Sequence, residues 1–429
     1  MINYPMTLVF IDLNVIFLLP KHEKCAIIKS TEIKRRNAMI KLTPPMGWNS
    51  WNTFGNDINE ELIMHTADKM VDEGLLDAGY EYLVIDDCWS EKMRDENGRL
   101  VADHVKFPHG MKYVADYVHS KGLKFGMYSC DGYFTCAAYP GSFDYEFTDA
   151  ETLAEWGVDY LKYDNCYKPS SVEGRLLYHK MSLALENCGR DIMFSACNWG
   201  VDNVQEWIKE TGAHLWRSTG DISDNWESVK YLLWRQLKIL PYNGVGCFND
   251  MDMLIVGMHG KGNVAVGGCT DTEYKTHFSV WAMLNSPLMI GCDIREMSDV
   301  TKSILTNRAI LEINQDAAGR QPYLVSGDKN SDNKNQMYIF AKHLEGGDIA
   351  IGMFNMTDSV QCPWFGLADI GLDHTAGRAL EITDLWEGKN VGKFYDIFRT
   401  RIEPHDCKML RCKVVRADGN YTTPLCAND

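Results

Sequence analysis

Gly157-Val-Asp-Tyr-Leu-Lys-Tyr-Asp-Asn165 is the stretch whose reading decides the fold. Its body is apolar and aromatic, and its far end collects Lys162, Asp164 and Asn165. A strand buried on both faces, with polar chemistry only at its carboxyl end, is the pattern of a parallel barrel. Lys162 and Asp164 stand two residues apart, so in an extended chain they project to the same side. Leu215-Trp-Arg-Ser-Thr-Gly-Asp-Ile222 repeats the shape and delivers Arg217 and Asp221.

Working outward, comparable runs occur at 47–51, 82–89, 124–129, 159–164, 191–197, 214–218, 245–249 and 287–291. Helical periodicity separates them. Over 58–71, Ile63, Ala67, Met70 and Val71 share one face and Gly74 supplies a stop; over 111–120, Val114, Tyr117 and Val118 do so and Gly122 ends the run. Eight strands alternating with helices predict a (β/α)8 TIM barrel with its site at the C-terminal rim. The pattern changes after Ala318-Gly-Arg-Gln-Pro322. Short strands at 336–341 and 349–354, joined across Gly346-Gly-Asp348, read as a hairpin and open a C-terminal antiparallel β-sandwich domain. The expected organisation is a catalytic barrel over 39–320 and a β domain over 321–429, whose role is packing.

Residues 1–38 are expected to lie outside the folded enzyme. The apolar segment 6–20 contains Asp12 and Asn14 and is too short to span a bilayer. No Lys or Arg precedes it and no clear small-residue cleavage site follows, so it makes a poor export signal. The net charge of −16 argues against nucleic acid and anionic membrane as partners. Fourteen cysteines show no C-x2-C spacing, there is no H-E-x-x-H, and twelve histidines form no ligand-like group, so no metal and no cofactor is expected. Scattered cysteines read mostly as buried thiols and lean toward a reducing compartment. Oligomeric state is not readable, and a homo-oligomer is compatible with the chain.

Two carboxylates presented from separate strand ends suit glycoside hydrolysis, which needs a nucleophile or base and a proton donor. The plain alternative is strand-end capping or salt bridging. The strand ends together collect Trp51, Asp86, Asp87, Trp89, Tyr128, Cys136, Lys162, Asp164, Arg217, Asp221 and Met253. The ordered motifs are Pro44-Pro-Met-Gly-Trp-Asn-Ser-Trp51, Ile85-Asp-Asp-Cys-Trp89, Thr135-Cys136 with Pro140-Gly-Ser-Phe143, Leu161-Lys-Tyr-Asp164, Trp216-Arg217 with Asp221, and Asn249-Asp-Met-Asp-Met253. This set resembles glycoside hydrolase family 27, the α-galactosidases and α-N-acetylgalactosaminidases, and Asp384-Leu-Trp386 and Pro404-His405 fit the family's β domain.

The resemblance implies a retaining mechanism with Asp164 as nucleophile and Asp221 as acid/base. It also implies that Asp86 and Asp87 bind the O4 and O6 hydroxyls of a galacto sugar. Adjacent residues of a regular strand point to opposite faces, so both can reach one pocket only if the loop has begun. A salt bridge beneath the rim is the other reading of that pair. Trp51 and Trp89 could wall the sugar, core packing being the alternative for Trp89; Tyr128, Cys136 and Met253 are further pocket residues. The ammonium of Lys162 should keep Asp164 ionised. Asp221 should be protonated at rest, and Arg217, which pulls the other way, reads as a sugar contact or orienter.

The chain departs from the family pattern in two places. After the fifth strand it reads Cys197-Asn-Trp-Gly-Val201 where α-galactosidases usually present Cys-Glu-Trp and α-N-acetylgalactosaminidases a Ser. Asn198 is therefore either a contact to the C2 substituent or a loop-capping residue. By the family's disulfide pattern, Cys88 and Cys197 lack their partners, leaving Cys136–Cys166 as the plausible bridge, a thinning that favours a bacterial cytoplasmic enzyme over a secreted one. The leading expectation is an exo-acting α-galactosidase. An α-N-acetylgalactosaminidase follows, then a β-L-arabinopyranosidase and, from another class, a catalytically silent sugar-binding protein.

Overall fold

The computed structural model describes residues 43–419; the expected extension 1–38 lies outside the described residues. Each apolar run forms a short parallel strand: β1 (Met46–Asn49), β2 (Tyr82–Val84), β3 (Lys124–Cys130), β4 (Tyr160–Asp164), β5 (Met193–Cys197), β6 (Leu215–Arg217), β7 (Phe248–Asp250) and β8 (Leu288–Ile290). They are ordered β7-β6-β5-β4-β3-β2-β1-β8, and a parallel bridge from Leu254, just beyond β7, to Ile290 closes the ring.

Side-chain alternation explains why these runs build a barrel. On β4, Leu161 and Tyr163 pack outward into the large core beneath the helices, while Tyr160 joins an inner cluster with Tyr82, Val84, Met193, Leu215, Phe248, Met253 and Met289. Two strand glycines make room for that filling. A Cβ on Gly47 would lie 2.3 Å from the Tyr82 carbonyl oxygen, and one on Gly126 would lie 2.7 Å from Val84 Cγ2. Tyr82 and Tyr160 then meet at 5.4 Å between ring centroids. Lys162 and Asp164 continue up the inner side from Tyr160, toward the rim.

The helices follow their periodicity with small departures. The helix Glu60–Asp72 is capped by Asn59, whose side chain accepts from Leu62 N at 2.8 Å, and it buries Leu62, Ile63, Thr66, Ala67 and Met70. Val71 remains 40% exposed, because the buried stripe is centred between Ile63 and Met70. In the helix Gly110–Ser120, Met111, Val114, Ala115 and Val118 are buried, while the Tyr117 hydroxyl reaches Asp68. No helix among the described residues is long and apolar enough to cross a membrane.

The C-terminal strands are β9 (Tyr323–Ser326), β10 (Met337–His343), β11 (Ile349–Asn355), β12 (Trp364–Gly366), β13 (Arg378–Asp384), β14 (Lys389–Phe394), β15 (Ile397–Arg399) and β16 (Cys407–Arg416). Six form an antiparallel sheet, β14-β13-β16-β11-β10-β9, and β12 pairs β15 in a second layer. Alternation again sorts the faces. Ile339, Ala341, Ile351, Ile382 and Leu410 fill the sandwich with Phe365 and Phe398, whereas Phe340, Phe354, Cys407 and Met409 pack into the barrel's helical core. Gly352 lets this sheet approach the barrel closely: a Cβ there would sit 3.2 Å from Met283 Cγ. Lys342, buried on β10, donates to Asn285 Oδ1 at 2.7 Å and Ile313 O at 2.5 Å, both on the barrel side.

Candidate active site

One side of the pocket is set by where β2 stops. The strand ends at Val84, Asp86 N is taken by Ser50 Oγ at 3.0 Å, and Cys88 turns through φ 74°. The chain has left the pleat by Asp86, so neighbouring carboxylates reach one cavity. Asp86 Oδ2 accepts from Asn49 Nδ2 at 2.7 Å and pairs with Lys162 Nζ at 2.9 Å. Asp86 Oδ1 accepts from Asp87 N at 2.9 Å, and Asp87 in turn accepts from Cys88 N and Ala137 N at 2.7 and 2.9 Å. Asp164, at the end of β4, accepts from the Tyr128 hydroxyl at 3.2 Å and from Asn165 N at 3.1 Å. A Cys136–Cys166 disulfide ties the loop after β3 to the residue two beyond Asp164.

The opposite side is built on Arg217, buried at the end of β6. Its Nη2 lies 2.8 Å from Asp221 Oδ1 and donates to Thr219 O at 3.3 Å; its Nη1 lies 2.8 Å from Asp252 Oδ1. Asp221 stands on the rim with its side chain 66% exposed, while Asp252 is buried. These two sides enclose a pocket lined by Trp51, Asn52, Asp86, Asp87, Tyr128, Cys136, Lys162, Asp164, Trp199, Arg217, Asp221, Asp252 and Met253.

Electrostatics distinguish the two rim carboxylates. Burial lifts the Asp164 pKa to about 6, against the pull of Lys162 and Arg217 and with a push from the charges of Asp221 and Asp86. Burial would raise Asp221 too, but the charges of Arg217 and Lys162 and the Arg217 hydrogen bond overrule it and hold that carboxyl below its ordinary value. The resting order of protonation is thus the reverse of the one expected from the residues alone. The reason is distance: the guanidinium touches Asp221 directly, whereas Lys162 pairs with Asp86 rather than Asp164.

The Alpha galactosidase A family matches residues 43–316, and the Alpha galactosidase C-terminal beta sandwich domain matches residues 334–412. An α-galactosidase of Cyamopsis tetragonoloba is 44% identical over 369 residues, covering 86% of this chain and 85% of that protein. A probable α-galactosidase of Dictyostelium discoideum is 43% identical, covering 86% and 92%. Among solved structures, α-galactosidase I from Mortierella vinacea superposes with a TM-score of 0.82 at 31% identity, covering 89% of this chain and all of that one. The chain belongs to glycoside hydrolase family 27.

Within this family 27 pocket, ten of the twelve residues picked out from sequence line the wall; Asn198 and Trp89 do not. The Asn198 amide is spent on its own loop, donating to Val201 O at 3.0 Å and accepting from Gly200 N at 3.3 Å. Trp199, held at φ 57°, faces the pocket in its place. Trp89 is buried, its indole donating to Tyr128 O at 2.9 Å and its ring edge-on to Trp156, so it packs behind Tyr128. Asn52, Trp199 and Asp252 were not picked out. Asp252 lies within a motif quoted above, Asn52 directly follows one at the start of the short helix Trp51–Phe54, and Trp199 lies in the stretch around Asn198; what aims Asp252 and Trp199 is loop backbone that carries no periodic signal. Cys88 and Cys197 are buried free thiols.

Proposed function

We propose that this family 27 enzyme is a retaining exo-α-galactosidase, removing terminal α-linked galactose from oligosaccharides or glycoconjugates. The observation that carries the reading is the meeting of Asp164, at the end of β4, and Asp221, in the loop after β6, in one pocket with Lys162 and Arg217 beside them. Relatives described as α-galactosidases, 42–44% identical over most of both chains, support galactose as the sugar. An α-galactosidase of Saccharomyces cerevisiae, 31% identical with a TM-score of 0.79, has been solved with raffinose.

In this mechanism ionised Asp164 attacks the anomeric carbon as the glycosidic C–O bond breaks, and Asp221 gives its proton to the departing oxygen. Asp221 then takes a proton from water, whose oxygen displaces Asp164 from the same face the aglycone left, so configuration is retained. Asp86 and Asp87 receive sugar hydroxyls. Their existing partners hold both carboxylates in place, so an epimer that failed to donate would leave buried acceptors short of a partner. Met253 belongs both to the pocket wall and to the inner barrel cluster, which closes the floor and suits the end of a glycan rather than its middle.

The inward turn of Asn198 leaves the C2 substituent without a contact from that side chain, which keeps an N-acetylgalactosaminide as the competing substrate. The deciding measurement is kcat/KM on an aryl α-galactoside and on its N-acetylgalactosaminide counterpart. Preference for the galactoside is expected. Preference for the acetamido sugar would replace this reading, and inactivity of the folded protein on both would reject it.

A further inference from the structure

Asp252 has no role in the two-carboxylate scheme, yet it is held at four points. Its Oδ1 pairs with Arg217 Nη1 at 2.8 Å, and its Oδ2 accepts from Ile222 N, the residue after Asp221, at 2.6 Å. Its carbonyl accepts from Trp281 Nε1 at 2.7 Å and its N–H donates to Asp250 Oδ1 at 2.8 Å. It holds φ 81°, a left-handed conformation that a non-glycine residue keeps only where its surroundings impose it. One side chain thus fixes both the guanidinium that touches Asp221 and the backbone that carries it.

We infer that Asp252 is a positioning residue that divides the Arg217 guanidinium between two carboxylates, which loosens the grip of Arg217 on Asp221 and eases its protonation for the departing oxygen. The inference rests on the assignment of Asp221 as acid/base. With Arg217 facing Asp221 alone, a direct ion pair at 2.8 Å would pin that carboxyl in its ionised form. With Asp252 ionised on the other guanidinium nitrogen, the group of three carries no net charge when Asp221 is protonated. The remaining groups that bear on Asp221 are Lys162 and Asp164 from β4, Cys197 from β5, and Asp250 from β7 through Arg217. Of these, Lys162 pairs with Asp86, and Asp250 with the Asp252 N–H. Burial lifts Asp252 to about 6, with the charges of Asp221 and Asp250 adding and that of Arg217 opposing.

The test compares wild type with Asp252→Asn on two substrates between pH 5 and 7.5. Methyl α-galactoside needs its leaving oxygen protonated; α-galactosyl fluoride expels fluoride without a proton. Below pH 6 Asp252 is largely protonated in the wild type and the amide resembles it; above pH 6 the two differ. The ratio of wild-type to variant kcat/KM on the methyl glycoside should therefore climb with pH to about 10–100-fold at pH 7.5. On the fluoride the ratio should stay flat with pH. Asp252→Glu, which keeps the charge, should recover the pH-dependent part of the loss, and this comparison stands if the amide variant fails to fold. A ratio independent of pH, or an equal climb on both substrates, would overturn the inference and leave Asp252 a packing residue. Asp221→Asn on the same two substrates isolates the underlying assignment: a loss no greater on the methyl glycoside than on the fluoride would remove Asp221 as the acid, whatever Asp252 does.

Discussion

Two lysines taken out of bulk water by this molecule are driven in opposite directions. Lys162 stands in the pocket wall 2.9 Å from Asp86, with Asp164 on the same strand. Burial works against its charge, but Asp86, Cys197 and Asp164 outweigh burial and hold its pKa above the ordinary value. Lys342 lies where the β domain meets the barrel, and its two acceptors are an amide oxygen and a backbone carbonyl. There burial dominates, the charge of Asp316 offsets little, and the ammonium falls to about 7. The same side chain is kept charged in the proposed active site and is pushed toward neutrality where it joins two layers. Counter-charge, rather than depth, separates a functional buried ion from a structural one.

The sharpest way to break this contrast is to remove the carboxylate that the pocket cations serve. Asp164→Ala should lower turnover by roughly four orders of magnitude or more while the fold survives. Single-turnover assays beside far-ultraviolet circular dichroism would check it, and ordinary turnover by the folded variant would end the mechanism. A smaller effect is expected from Lys162→Met, about 100-fold in kcat/KM. That change removes the strongest pull holding the Asp164 pKa down, so the value should rise above its present level near 6. In the proposed mechanism Asp164 must be ionised to attack, so the acid limb of the pH–rate profile should move to higher pH. An acid limb that stays in place would show that Lys162 acts on Asp86 alone.

Much of this was legible in the sequence, and the boundary is physical. The eight barrel strands were readable because each pairs an apolar body with a polar end, and the barrel geometry then gathers those ends at one rim. The sharing of a face by Lys162 and Asp164 follows from strand alternation. Features governed by loop backbone were not readable. The inward turn of Asn198, the pocket-facing Trp199 and the left-handed Asp252 follow from φ angles of 57° and 81° and from loop hydrogen bonds. The order of protonation escaped for a related reason. Residue types admitted a cation beside each acid, but only the 2.8 Å Arg217–Asp221 contact shows which acid is gripped. Val71 is a milder case, since a helical stripe read from spacing alone has an uncertain edge.

The smallest expected effect lies at the other lysine. In the unfolded chain Lys342 keeps its proton up to about 10.5, whereas in the folded protein it releases it near 7. Between those values the unfolded state binds the extra proton, so this residue's contribution to stability grows as pH rises from 7 to 10.5. It is lost as pH falls through 7, where the ammonium is charged in both states and its burial opposes folding in full. The slope from this one group is at most about 1.4 kcal/mol per pH unit. Lys342→Met deletes that dependence and also strands the acceptors on Asn285 and Ile313, a pH-independent cost of about 1–3 kcal/mol. Denaturant midpoints of the two proteins at pH 6 and pH 9 should therefore differ in the variant's disfavour mainly at pH 9, with the gap narrowing or reversing at pH 6. An equal gap at both pH values would mean that Lys342 stays charged inside the fold, which would make its two neutral acceptors as effective as the carboxylate beside Lys162.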